Sequence, residues 1–322
     1  MLFHRVRGVM GGKTAFVFPG QGSQYVGMGW DVAEHFPQAH ALLATGSEIL
    51  GLDLASLCFQ SPEETLSLTA NTQPAILTVS AMVLTVLRDQ GIHPDFVAGH
   101  SLGEYTALVA AGSLTYPEAL RAVRRRGELM QQAVSFGAGA MAAVIGITPD
   151  TVEQICREAA QGQVVEVANL NTPMQTVVAG HTAAVNRVSI AARARGAKRV
   201  HLLPVSAPFH SSLMRSIAAE FAAVLAGLDI RAPAVPFIAG LDAEPKQTGG
   251  EVTQSLIAQL DHPVRWVEVV RRLICEGVET FIELGPGKVL SGLIRRIDET
   301  VPVHHIEDRR TLEATLAATA TA

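Results

Sequence analysis

The stretch "DFVAGHSLGEYTALVAAG", residues 95–112, decides how the rest of the chain is read. Its first apolar residues suit a short buried strand, and the run after Gly103 suits a helix. Between them "GHSLG", residues 99–103, matches G-x-S-x-G, the strand-to-helix elbow that carries a nucleophilic serine. Glycines at 99 and 103 permit the tight turn, which exposes the hydroxyl of Ser101 and aims the backbone N–H of Leu102 at the same space. The helix N-terminus then favours negative charge developing there. A serine in this place also serves as an ordinary helix cap. The pentapeptide gains weight from the strand before it and the helix after it.

Working outward, residues 14–18 form a second apolar strand, broken by Pro19 and Gly20 in the loop "FPGQGSQ", residues 18–24. Residues 73–90 carry apolar side chains at helical spacing and stop at Gly91, a C-cap glycine. A further helix over residues 116–134 holds the run Arg124, Arg125 and Arg126. Strand and helix in alternation predict an α/β fold, with an α/β-hydrolase-like parallel sheet covered by helices. From Gly139 the pattern changes to βαββαβ, which is ferredoxin-like. The expected organisation is therefore a large catalytic domain of residues 1–136 and 206–322, with a small inserted domain of residues 137–205. The alanine-rich tail after Thr311 is expected to fray.

With 48% hydrophobic and 17% charged residues, the 322-residue chain suits a globular protein. Its apolar runs break well before the ~18 positions of a membrane span. The first thirteen residues lack the apolar core of a secretory signal, which leaves the cytoplasm as the expected location and Met10 as an alternative start. Cys58, Cys156 and Cys275 are odd in number, far apart and without a CxxC, so they read as buried thiols and not as disulfides or zinc ligands. A net charge of −5 argues against a nucleic-acid partner. The arginine runs at 124–126 and 193–199 read as solvated helix faces. Gly20, Gly22 and Tyr25 break the dinucleotide pattern G-x-G-x-x-G, and no P-loop lysine follows.

A serine hydroxyl needs a base, and histidine has the right proton affinity. His100 is adjacent, but neighbouring side chains of an extended segment point apart. His210, in the loop after "LLPVSAPF", is better placed, although spacing alone leaves the other ten histidines open. Asp261 offers itself as the third member of a Ser-His-Asp triad.

Taken together, "FPGQGSQYVGMG", "TQPAIL", "GHSLGEYTALVAAG", "RRRGELMQ", "GAMAAVIG", "VSAPFHSSLM", "HPVRW" and "ELGPGKVL" resemble the malonyl-CoA:acyl carrier protein transacylase family over nearly the whole chain. The family spans fatty-acid enzymes and free-standing acyltransferases of polyketide synthesis. The resemblance implies that Ser101 is the acylated nucleophile, His210 its base, and Arg126 the holder of the malonyl carboxylate. It implies an oxyanion hole from the backbone N–H groups of Gln21 and Leu102. It also implies that the Gln259 carbonyl orients His210, a dyad in preference to the Asp261 triad. Gln24 and Asn169 match pocket positions, though Asn169 by itself reads as a turn residue. Phe209 resembles the bulky neighbour that disfavours an α-methyl branch, or is a plain core residue.

The implied partners are malonyl-CoA and an acyl carrier protein, with no nucleic acid and no membrane, and the implied protein is a monomer. No metal or cofactor is implied, since the CoA thioester is substrate and the partner carries the phosphopantetheine. Arg193, Arg195, Lys198 and Arg199 are candidate cations for the anionic carrier. The rivals are an acyl hydrolase on the same scaffold and a catalytically silent docking module. A retained Arg126 speaks against the hydrolase, and an intact Ser101, His210 and Arg126 against the docking module.

Overall fold

The computed structural model describes residues 12–135, 137–205 and 207–319. Met10 and the expected domain junctions at 136 and 206 lie outside the described residues. Ten strands are described: β1 (Lys13–Phe18), β2 (Phe96–Gly99), β3 (Gly139–Ile145), β4 (Val165–Thr172), β5 (Gln175–His181), β6 (Arg199–Leu202), β7 (Phe237–Ile238), β8 (Pro245–Lys246), β9 (Val278–Leu284) and β10 (Val303–Ile306). They form two sheets. The larger runs β10-β9-β1-β2-β7-β8, parallel apart from β8 at its edge.

β1 and β2 are apolar on both sides because helices cover both faces of this sheet. Phe16 and Phe18 enter a core shared with the helices Thr69–Asp89 and Tyr116–Gln132. Ala15 and Val17 face the opposite way, into a core shared with Trp266–Cys275 and Val289–Ile297. The helix Thr69–Asp89 begins four residues earlier than its apolar spacing predicts, with Pro74 inside it. It is long and apolar enough to cross a membrane, and 83% of its most apolar stretch is buried inside the protein. The helix Arg309–Thr319 corrects the expectation of a fraying tail: Leu312, Thr315 and Thr319 are buried.

The smaller sheet, β4-β5-β3-β6, is antiparallel throughout and has the ferredoxin-like strand order. One face packs Ala142, Val144 and Val178 on the helices Pro149–Ala159 and Thr182–Ala194. Met141, Ala143 and Val177 on the other face join the core of the large sheet. β4 is also tied there by main chain, through Leu170 N–H to the Val264 carbonyl and Val264 N–H to the Ala168 carbonyl, both 2.9 Å. The chain is thus an α/β fold with an inserted small domain, whose inner sheet face shares the large domain's core and whose β4 packs on the helices Trp266–Cys275 and Val289–Ile297.

Cys58 and Cys156 are buried thiols as expected. Cys275 is exposed, because it ends its helix on the solvent side.

Candidate active site

The elbow forms as the sequence predicts. β2 ends at Gly99, and the helix Gly103–Ala110 starts four residues later. A Cβ on Gly103 would lie 2.0 Å from the Phe18 carbonyl oxygen, so only glycine lets this helix approach β1. Gly20 plays the matching part across the gap, where a Cβ would sit 2.4 Å from the His100 carbonyl oxygen. That closeness draws the Phe18–Gln24 loop alongside the serine. Ser101 itself stands at φ 53°, a left-handed backbone that non-glycine residues rarely hold.

Ser101 Oγ lies 2.7 Å from His210 Nε2. His210 Nδ1 lies 2.8 Å from the Gln259 carbonyl oxygen, a fixed acceptor. That bond puts the proton on Nδ1 and leaves Nε2 free to take one from Ser101. His210 is 3% exposed and also left-handed, at φ 59°. Burial, and then the nearby Arg126 cation, push its pKa down to about 3, so the imidazole is neutral near pH 7. Asp261 takes no part: it accepts from Arg215 Nε and lies against His262 Nδ1, both at 2.8 Å, which disposes of the triad. His100 turns away to Asn171 Oδ1, 2.8 Å distant, and against Trp266.

Arg126 corrects the reading of its run as a solvated face. Arg124 and Arg125 pair with Glu128 at the surface, but Arg126 is 1% exposed. Its Nη1 donates to Gln73 Oε1 at 3.0 Å, and its Nη2 donates to Gln259 Oε1 at 2.9 Å and Ser101 Oγ at 3.2 Å. Its Nε, although buried, has no partner. The guanidinium stacks over Tyr105, 5.7 Å from the ring centroid.

Ser101, His210, Arg126 and Gln73 line a cavity of about 70 Å³, with Gln21, Leu102, Asn169 and Phe209 also on its wall. A second cavity, of about 210 Å³, shares Gln21, His100, Asn169, Leu203 and Val205 with it and continues past Gln24. The two adjoin along the inner face of the small sheet, between it, the Phe18–Gln24 loop and the helix Val289–Ile297, and the first reaches Ser101. The Gln21 and Leu102 N–H groups donate to no other group among the described residues. Gln24 caps the loop, its Oε1 accepting from Gly22 N–H at 2.7 Å. Asn169 is not a turn residue. It sits in β4 at an irregularity that pairs it with Val264.

Residue-by-residue reading misses Gln73, which sits in the quoted "TQPAIL" but gains meaning only when folding sets it against Arg126. It also misses the side chain of Gln259, and Glu104, a fully buried carboxylate beneath the elbow. Chemically, the arrangement offers an alcohol, a neutral base with a fixed tautomer, two idle N–H donors and a buried cation, all on the wall of one cavity.

The acyl transferase domain family matches residues 15–311. The chain is 45% identical over 302 residues to the malonyl CoA-acyl carrier protein transacylase of Bacillus subtilis (strain 168), covering 94% of this chain and 95% of that one. It is similar to the crystal structure of an acyl carrier protein S-malonyltransferase from Vibrio cholerae, with a TM-score of 0.91, 45% identity, and coverage of 94% and 99%. It is also similar, with a TM-score of 0.93, 42% identity, and coverage of 95% and 99%, to a malonyl-transacylase solved in complex with a type II PKS acyl-carrier protein.

Proposed function

This chain belongs to the acyl transferase family and, within it, to the malonyl CoA-acyl carrier protein transacylases, and from that premise we propose that it moves malonyl groups through an ester on Ser101. The donor is malonyl-CoA and the acceptor is the phosphopantetheine thiol of an acyl carrier protein, in fatty-acid or polyketide synthesis. The observation that carries the mechanism is the 2.7 Å contact of Ser101 Oγ with a His210 held neutral and oriented by Gln259.

Ser101 Oγ attacks the thioester carbonyl as its proton passes to His210 Nε2. The Gln21 and Leu102 N–H groups hold the tetrahedral oxyanion. The C–S bond then breaks, and His210 returns the proton to sulfur, so CoA leaves as a thiol. In the second half the carrier thiol gives its proton to His210 and attacks the ester, and Ser101 leaves with that proton. Arg126 selects the donor. Two parallel charge-assisted bonds from a guanidinium suit the free carboxylate of malonate, whereas an acetyl group leaves a buried cation unmatched. Phe209, on the cavity wall, restricts the space at the α-carbon. Gln24 and Asn169 line the path of the thioester arm.

The enzyme works as a monomer in the cytoplasm without a metal or resident cofactor. The test is intact-protein mass spectrometry after exposure to malonyl-CoA, with Ser101→Ala alongside. A single malonyl adduct on the unaltered chain, absent from the variant, is expected. An adduct that persists in Ser101→Ala overturns the mechanism.

A further inference from the structure

Glu104 lies three residues beyond Ser101, in the first turn of the elbow helix, and is 0% exposed. Its Oε1 accepts from Gly240 N–H at 2.6 Å. Its Oε2 is buried with no hydrogen-bond partner, and besides the Gly240 N–H the groups that favour the ionised carboxyl are the Gln259 amide, which also donates to the Ser101 carbonyl at 3.3 Å, and the Arg126 guanidinium. The bonded partners of Arg126 (Gln73, Gln259 and Ser101) are all neutral. The acidic groups that act on the guanidinium are Glu104 and the Tyr105 phenol.

We propose that Glu104 is the internal counter-ion of Arg126, relayed by the Gln259 amide, and that it takes up a proton from solvent when the malonyl carboxylate reaches the same guanidinium. This rests on the reading of Arg126 as the malonyl clamp. When Glu104 is ionised, one buried cation faces one buried anion. Arrival of a second carboxylate leaves an excess negative charge in a dry site, which costs several kcal/mol and is relieved by neutralisation. The charged and titratable groups facing Glu104 are Arg126 from the helix Tyr116–Gln132, Asp242 from the loop after β7, and Tyr105 on its own helix. Of these only Arg126 favours the ionised form, whereas burial and Asp242 oppose it. Burial dominates and raises the carboxyl pKa to about 7, so a proton is within easy reach. Glu104 touches no reacting atom, so its part is that of a positioning residue for the clamp.

The test is the ratio of kcat/KM for malonyl-CoA over acetyl-CoA, followed from about pH 6 to about pH 9. Titration of Ser101, His210 and the CoA phosphates is common to both donors and cancels in the ratio. With Glu104 protonated the cation is free for malonate; with it ionised the cation is already balanced. The ratio should therefore fall above neutrality, toward a limit of about tenfold per pH unit. Glu104→Gln keeps the Gly240 acceptor and stays neutral, so its ratio should be level across the range. A level ratio in the unaltered enzyme with malonyl preference intact overturns the proposal, as does a sloping ratio in Glu104→Gln. Absence of malonyl preference at every pH overturns the clamp reading and this proposal with it. Should the variant not fold, the profile of the unaltered enzyme decides alone.

Discussion

Replacing Arg126 with alanine tests donor selection most directly. The guanidinium is 1% exposed and reaches Ser101 Oγ at 3.2 Å, so in the proposed clamp a carboxylate bound to it would be largely desolvated. Each hydrogen bond to a charged group contributes about 1.5–3 kcal/mol, and a forked pair about 3–6 kcal/mol. At about 1.4 kcal/mol per decade, kcat/KM for malonyl-CoA should fall roughly a hundredfold to ten-thousandfold. Acetyl-CoA makes neither bond. Its loss should be limited to that of the missing contact with Ser101, about tenfold. A second effect is on pH dependence. Burial is the first cause of the depressed His210 pKa and the Arg126 cation the second, so removing the cation raises it. With His210 as the proposed neutral base, the acid limb of acylation should move to higher pH with both donors. The assay is single-turnover acylation monitored by mass. Equal losses with malonyl and acetyl donors would refute the forked clamp.

Phe209→Ala should raise the methylmalonyl-to-malonyl rate ratio about tenfold or more, a methylene being worth about 1–3 kcal/mol in such a pocket; a ratio unchanged in a two-donor competition removes the steric role. Gly103→Ala drives a Cβ to 2.0 Å from the Phe18 carbonyl oxygen, so melting temperature and acylation should both drop, at a cost of at least about 1–3 kcal/mol; an unaltered melting curve contradicts this packing. Lys198 and Arg199 are exposed, and neither forms an ion pair among the described residues. Reversing both to glutamate should raise the carrier KM several-fold at low salt and leave hydrolysis of the acyl-enzyme alone, and an unmoved KM would place docking elsewhere.

What the sequence reveals and what it hides divide along physical lines. The elbow is legible because its requirement is local: strand, glycine, serine, glycine and helix lie within a dozen residues. The ferredoxin-like insertion is legible for a similar reason, since periodicity changes where it begins. His210 is only half legible. A loop after an apolar run nominates it, but its left-handed backbone and the Gln259 carbonyl that fixes its tautomer arise from segments 49 residues apart. The buried state of Arg126 is invisible in an arginine triplet whose other members face outward. Asn169 is hidden because its residue type favours turns, whereas tertiary pairing with Val264 holds it in a strand. The early start of the helix Thr69–Asp89 is hidden because its first turn is mostly polar and lacks apolar spacing, while the Ala70 carbonyl that Pro74 cannot bond is taken by Arg124 Nη1 at 2.9 Å, a tertiary contact.

The two left-handed residues carry a consequence for the protein's endurance. Ser101 at φ 53° and His210 at φ 59° each hold a posture that costs about 1–2 kcal/mol, against a typical folding margin of about 5–15 kcal/mol. A sizeable part of the molecule's toughness is thus tied up in the two residues proposed to do its chemistry, and selection for heat resistance alone would tend to erase them. A lifeless Ser101→Gly protein should outlast the working enzyme in a heating experiment, by a few degrees.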